Sequence, residues 1–223
     1  MSDIFDEVAE DLRRERAARL WKRYAPYVIA AALAIIVGVA GYRGWEWYSA
    51  KRAAESGDRF AAALALAEEG KHAEAQGALQ SMVGDAPSGY ATLARFRAAA
   101  EAARQDVAKG VADFDAIAAD GSLNATLRDL ARLRAGLLEF GRSDFAAMKP
   151  RLEPLAQPGA PWRHQAREAL AFAALAANDA VEALRWADVA LADAEIPEGI
   201  RERVRIVTEL FADRKPAVQP TTN

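Results

Sequence analysis

The chain has no cysteine and only two histidines, His72 and His164, in 223 residues. Thiol chemistry and thiolate metal sites are therefore excluded. The same absence says nothing of compartment, because a domain of this size holds a core without disulfides. The two imidazoles stand far apart, and no HExxH, GxSxG or P-loop pattern occurs. Carboxylates such as Glu68, Glu69, Glu182 and Asp188 fall where a solvated helix face would place them. His72 reads as a packing residue in a turn, His164 as a surface residue at a helix start. No catalytic constellation can be assembled, so the chain reads as non-enzymatic, with no metal and no cofactor. An excess of positive charge is also missing. The net charge is −3 and the isoelectric point about 5.6, which leaves no basic surface for nucleic acid. Period-two stretches of β-branched residues are absent, so no sheet is expected.

One stretch lacks charge altogether. From Tyr24 to Tyr42 the chain reads YAPYVIAAALAIIVGVAGY. As a helix it would be roughly 28 Å long, close to the hydrocarbon thickness of a bilayer. Trp21, Tyr24 and Tyr27 stand before or at its start and Tyr42, Trp45, Trp47 and Tyr48 at or after its end. Such rings favour the headgroup zone. Pro26 would occupy the first turn, where a missing N–H costs nothing. Six Lys/Arg lie in residues 13–23 and four in residues 43–60, which places the N-terminus in the cytoplasm. Gly38-x-Ala40 is a passable cleavage site for a signal peptide, but the stretch is longer than a signal core and an aromatic belt follows it, so an uncleaved anchor is favoured. Ala30, Ala34, Gly38 and Gly41 form a small-residue stripe against which a partner helix, or a second copy of this one, could pack. Ile4, Phe5, Val8 and Leu12 make a short apolar stripe in the tail, which would either lengthen the anchor helix or lie on the membrane surface.

Behind the anchor the chain is rich in alanine, leucine, arginine and glutamate, the strongest helix formers. Breaks fall at Gly70, Pro87, Gly121-Ser122, Gly141-Arg142-Ser143, Gln157-Pro158-Gly159 and Ile196-Pro197. Aligning the turn residues Gly70, Gln105, Ser143 and Asn178 gives spacings of 35, 38 and 35. Five residues on stand Ala75, Gly110, Met148 and Ala183. Nine on stand Leu79, Phe114, Leu152 and Ala187, and twelve on Met82, Ile117, Leu155 and Ala190. These offsets trace one face of the second helix of each pair. Ile200, Val204, Val207, Leu210 and Phe211 then form the stripe of a capping helix over 198–212.

A helix–turn–helix period of about 34 residues resembles the tetratricopeptide repeat. Gly70-Lys-His-Ala-Glu-Ala75 with Pro87 after it, and Asn178-Asp-Ala-Val-Glu-Ala183, carry the resemblance best. The first helices lack most of the family's large aromatic and glycine positions, and a plain helical bundle is the alternative. The expected fold is all-α: a single N-terminal transmembrane helix followed by a divergent tetratricopeptide-like α-solenoid of about four units over 56–196. The resemblance implies a concave groove lined by the first helices, with Phe60, Thr92, Arg95, Gln165, Glu168 and Phe172 in it. Both phenylalanines read better as core, which leaves Arg95, Gln165 and Glu168 as groove candidates.

The run Gly44-Trp45-Glu46-Trp47-Tyr48 after the span, and Leu20-Trp-Lys-Arg-Tyr24 leading into it, add a second likeness. With the repeats, the chain resembles the bacterial ancillary SecYEG translocon subunit family. That resemblance implies an inner-membrane protein with a periplasmic helical domain. With the span read above, the expected division is a cytoplasmic tail at 1–23, an anchor at 24–45, a periplasmic repeat domain with its cap at 46–213, and, from its Pro- and Thr-rich composition, a disordered tail at 214–223. It implies partners among SecYEG-like translocon subunits, periplasmic chaperones and client polypeptides. A scaffold for another envelope complex (outer-membrane protein insertion, cell division or cytochrome maturation) keeps the same fold. A third reading, of another class, is a peptidoglycan-acting enzyme with a helical-repeat domain, which would need an acidic catalytic residue in a cleft and would lose activity on a single Glu→Gln change.

Overall fold

The structure, a computed structural model, describes residues 3–142 and 144–212, and the side chains among them except those of 3–13, 15–17 and 212. The tail 214–223, the turn position Ser143 and the stripe Ile4, Phe5, Val8 and Leu12 lie outside that description. Helix makes up 82% of the structure, and no strand occurs among the described residues. The chain divides into two compact units, Met1–Glu55 and Ser56–Asn223.

The first unit is most of one helix, α1 (Asp3–Glu68). Within it lies the one stretch, among the described residues, long and apolar enough to cross a membrane. Its mean hydropathy is 2.0 and none of it is buried. From Tyr24 to Tyr42 every side chain but Ala25 is exposed, including Ile35, Ile36 and Val37. A helix in the core of a soluble domain would show the opposite pattern. One expectation changes here. Pro26 stands well inside α1 rather than in a first turn, so the carbonyl of Lys22 loses its intrahelical donor. The helix itself continues through 45/46 to Glu68.

Among the described residues the second unit contains the end of α1 and eight further helices. They are α2 (His72–Met82), α3 (Ser88–Gln105), α4 (Val107–Ala119), α5 (Ala125–Leu138), α6 (Phe145–Leu152), α7 (Arg163–Ala176), α8 (Ala180–Leu191) and α9 (Glu198–Ala212), with a 3-10 turn, Glu153–Ala156, after α6. The pairs α1/α2, α3/α4, α5/α6 and α7/α8 follow the repeat phasing, and α9 closes the array at the expected place. All twelve residues at offsets five, nine and twelve are buried, from Ala75, Leu79 and Met82 in α2 to Ala183, Ala187 and Ala190 in α8. The second-helix face was thus legible as a period.

The turns solve one problem in different ways. Gly70 (φ 79°) and Asn178 (φ 57°) take the left-handed conformation that ends a helix. At Gln105 the chain instead goes straight into an extended Asp106, whose carboxylate caps α4 by accepting from the backbone N–H of Ala108 (2.9 Å). Asn124, Asp144 and Asp179 cap α5, α6 and α8 in the same way. Close approach of the helices depends on small residues. A Cβ built on Gly110 would stand 2.3 Å from the Cβ of Ala103 and 2.6 Å from its Cα.

Three apolar clusters hold the second unit. Ala63, Leu79, Met82, Ala94 and Ala98 join α1, α2 and α3. Ala99, Phe114, Ile117, Ala118, Ala131 and Ala135 join α3, α4 and α5. The third is much larger and runs from Leu133 of α5 to Phe211 of α9, with Leu152, Leu170, Trp186, Val204 and Val207 at its centre.

Candidate functional site

The first helices of the middle pairs leave one face open. On α3 it carries Leu93, Arg97, Ala100 and Arg104, and on α5 Leu130, Arg134 and Leu137; both follow the three-and-four spacing of a helix face. Leu93 is 55% exposed and Leu137 43%. Between α3 and α5 runs a groove of about 270 Å³, lined by Ala100, Ala103 and Arg104, by Arg134, Leu137 and Leu138, and by Phe114 of α4.

A buried carboxylate underlies this face. Glu101 of α3 is 0% exposed. His72 Nδ1, at the start of α2, lies 2.7 Å from its Oε2. Arg97 Nη2 stands 2.8 Å from Oε1 and Arg104 Nε 3.7 Å from Oε2. An unpaired charge at such depth would cost on the order of several kcal/mol, so the Arg97 and Arg104 guanidiniums and the His72 contact are what permit it. Histidine and glutamate also tie the first pair to the second. His72 is therefore a packing residue with a polar task, and Glu101 is a residue that sequence reasoning passed over. It lies on the stripe Ala94, Ala98, Glu101 and Ala102, where a period drawn along α3 would have found it.

Arg95 occupies a different side of α3. It lines a groove of about 180 Å³ with Gln80 of α2, Val83 just after it, and Asp113, Ala116 and Ile117 of α4. Its Nη1 donates to Asp120 Oδ2 at 2.5 Å. The Asp120 carboxyl is held well below the usual range, by the Ser122 hydroxyl first and then by Arg95 and the Ser122 N–H. Thr92 bonds back to the carbonyl of Ser88 (2.9 Å). Glu168 accepts from Arg203 Nε (2.5 Å) and Nη2 (3.0 Å), a two-pronged tie between α7 and the cap α9. Gln165 is half-buried beside it in α7, with its Oε1 buried and unpartnered. Arg95 thus belongs to the second pair and Gln165 and Glu168 to the fourth, with no bond joining them. Phe172 packs against the large C-terminal cluster, and Phe60 packs against the first cluster and the Tyr90 ring, at a centroid distance of 6.3 Å. In the apolar stretch of α1, Ala30, Ala34, Gly38 and Gly41 are exposed, and open space surrounds both glycines.

Two surface expectations are overturned. His164 is buried, 8% exposed. The α8–α9 loop covers the start of α7: Asp193 accepts from Arg163 Nε (2.8 Å) and Arg167 Nη1 (2.7 Å), and Glu195 takes the other arm of Arg163. Burial pushes the His164 pKa down, and Arg163 beside it adds to the effect. Glu182 is half-buried rather than solvated. It holds Lys149 of α6 (3.2 Å), Arg185 (3.2 Å) and the Trp186 indole N–H (3.1 Å). Burial alone would raise its pKa, but Lys149 and Arg185 outweigh burial and lower it. No cluster of histidine, aspartate and glutamate suited to a metal occurs among the described residues.

The profile of the tetratricopeptide repeat-like domain family matches residues 18–157. The chain belongs to that family. The match takes in the apolar stretch and the first three helix pairs; α7, α8 and the cap α9 continue the same packing beyond it. Neither the curated proteins nor the solved structures contain a match. Tetratricopeptide-like repeats suggest a role in protein–protein interaction, and domains of this kind are typically non-catalytic.

Proposed function

We propose that the protein is a non-enzymatic, single-span adaptor of the bacterial inner membrane, with residues 1–23 cytoplasmic, 24–45 in the bilayer and 46–213 in the periplasm. The observation that carries this reading is the pairing of a wholly exposed apolar helix with a repeat array that has open faces and no catalytic set. The anchor fixes the array beside a membrane complex, and tethering raises local concentration so that each contact can be weak. The likeness around Gly44–Tyr48 supports the Sec translocon as that complex, and periplasmic chaperones or emerging chains as what the array holds. Ala30, Ala34, Gly38 and Gly41 are the packing face toward a translocon helix, and Arg95, Gln165 and Glu168 are candidate contacts of the array. The test is photo-crosslinking in cells from Ala34, Gly38 and Arg95. Translocon subunits at the anchor and chaperones or secreted chains at Arg95 are the expected adducts. Adducts to a different envelope complex would make it a scaffold there, and adducts to its own chain alone would make it a homo-oligomer without the adaptor role.

A further inference from the structure

We propose that the groove between α3 and α5 binds an acidic peptide segment carrying an aliphatic side chain. The proposal rests on the adaptor reading and names the chemistry of what is held.

Charge carries the argument. The protein as a whole is acidic, at −3, yet this face gathers Arg97, Arg104 and Arg134 against one carboxylate, Glu101, which is fully buried. Several other arginines are clamped: Arg95 on Asp120, Arg151 on Asp115 and Glu139, Arg203 on Glu168. The two that line the groove are not. Arg104 has only Glu101 at 3.7 Å, and Arg134 has no carboxylate partner among the described residues. The acids nearest to Arg134 along α5 are engaged elsewhere, Asp129 with Arg132 and Glu139 with Arg151. Arg134, with no carboxylate partner among the described residues, and Arg104, exposed and held only distantly by Glu101, present guanidinium forks that suit carboxylates.

Shape narrows the ligand. A scattered exposed leucine needs no explanation, but Leu137 stands at the lip of a recess lined by Ala100, Ala103, Leu138 and Phe114. An aliphatic side chain fits that recess while flanking carboxylates meet Arg104 and Arg134. Anionic lipid headgroups would satisfy the arginines but would leave the apolar recess unused, so the peptide is favoured.

The test uses the full chain in detergent micelles and fluorescence anisotropy with two labelled peptides, GEELLEELG and GKKLLKKLG. The acidic peptide is expected to bind at least about tenfold more tightly than the basic one, with a loss of about tenfold in R104E/R134E. R104Q/R134Q, with unchanged helical circular dichroism, is expected to show a smaller loss in the same direction. Equal binding of the two peptides, or undiminished binding by both double variants, overturns the proposal. So does displacement of the acidic peptide by short-chain phosphatidylglycerol at equal concentration, which would assign the groove to lipid. A photo-crosslinker at Leu137 in cells separates this inference from the adaptor reading. Protein adducts that vanish in R104E/R134E support both. Adducts that persist overturn the acidic preference and leave the adaptor standing, and no protein adduct at all overturns both.

Discussion

The two ends of the repeat array are built on different physics. The C-terminal part, from α5 to α9, shares one apolar cluster of large side chains, with Leu152, Leu170, Trp186 and Val204 within it. The N-terminal part has two small clusters made mostly of alanine, and its pairs are tied by the polar contacts of Glu101 and Arg95. Alanine lets helices approach closely but removes little apolar surface from water. Each repeat contacts chiefly its neighbours, so stability need not be uniform along the array. The comparison teaches that the α3/α5 groove sits toward the weaker end, where opening and adjustment cost least.

The largest effect that sharpens this contrast is Leu170→Ala. Leu170 is completely buried in the C-terminal cluster, and truncation should cost about 3–5 kcal/mol. Leu79→Ala, equally buried among alanines, should cost less, about 2–3 kcal/mol. Urea unfolding of the full chain in micelles measures both, and equal losses would erase the contrast.

Next comes Gly110→Ala. The new methyl would meet the backbone of Ala103, which cannot yield as a flexible side chain would. Overpacking of this kind costs about 1–3 kcal/mol, against roughly 1 kcal/mol gained in helix propensity. Amide hydrogen exchange should accelerate in α3 and α4 while α7 to α9 keep their protection. Uniform acceleration would show a single cooperative unit instead.

Acid titration compares the halves directly, since each has one depressed aspartate: Asp120, through Ser122 and Arg95, and Asp193, through Arg163, Glu195 N–H and Arg167. A carboxylate whose pKa is lower folded than unfolded stabilises the fold above the ordinary value of 3.8. That contribution is lost as pH falls from there toward the folded value. Asp120→Asn and Asp193→Asn should each flatten the loss of melting temperature below about pH 4. If the earliest acid-induced exchange appears in α7 rather than in α3, the assignment of the weaker end is reversed.

The smallest effect is at the caps. Asp106→Ala in the N-terminal part and Asp144→Ala in the C-terminal part each remove an oxygen that accepts from a helix N–H. Each should cost about 1 kcal/mol. Similar values from thermal melts would show that capping, unlike core size, is the same along the array.

What could be read in the sequence was whatever repeats. The second helices bury the same three offsets in all four pairs, so one alignment exposed them, together with the turns and the cap at Glu198–Ala212. The first helices were harder. Arg95 and Arg97 differ by about 200° around α3: one is locked onto Asp120 in the groove between second helices, the other lies on the open face. Sequence reasoning selected Arg95 and passed over Arg97, Arg104 and Arg134. His164 and Glu182 were read as surface because their cover comes from α8–α9 and α6, which local spacing does not disclose. The apolar stretch was plain from composition, but the helix through Pro26 was not, since flanking turns overrode a residue that usually marks a start.

Glu101 has a role that reaches past packing. No partner can touch a side chain with no exposed surface, yet its single negative charge sets how much positive charge the open face retains. Exchanging it for a neutral residue would alter what the groove attracts without altering any atom the ligand meets. Binding strength is therefore set in part from a hidden position, through the charge that Glu101 takes from Arg97 and Arg104.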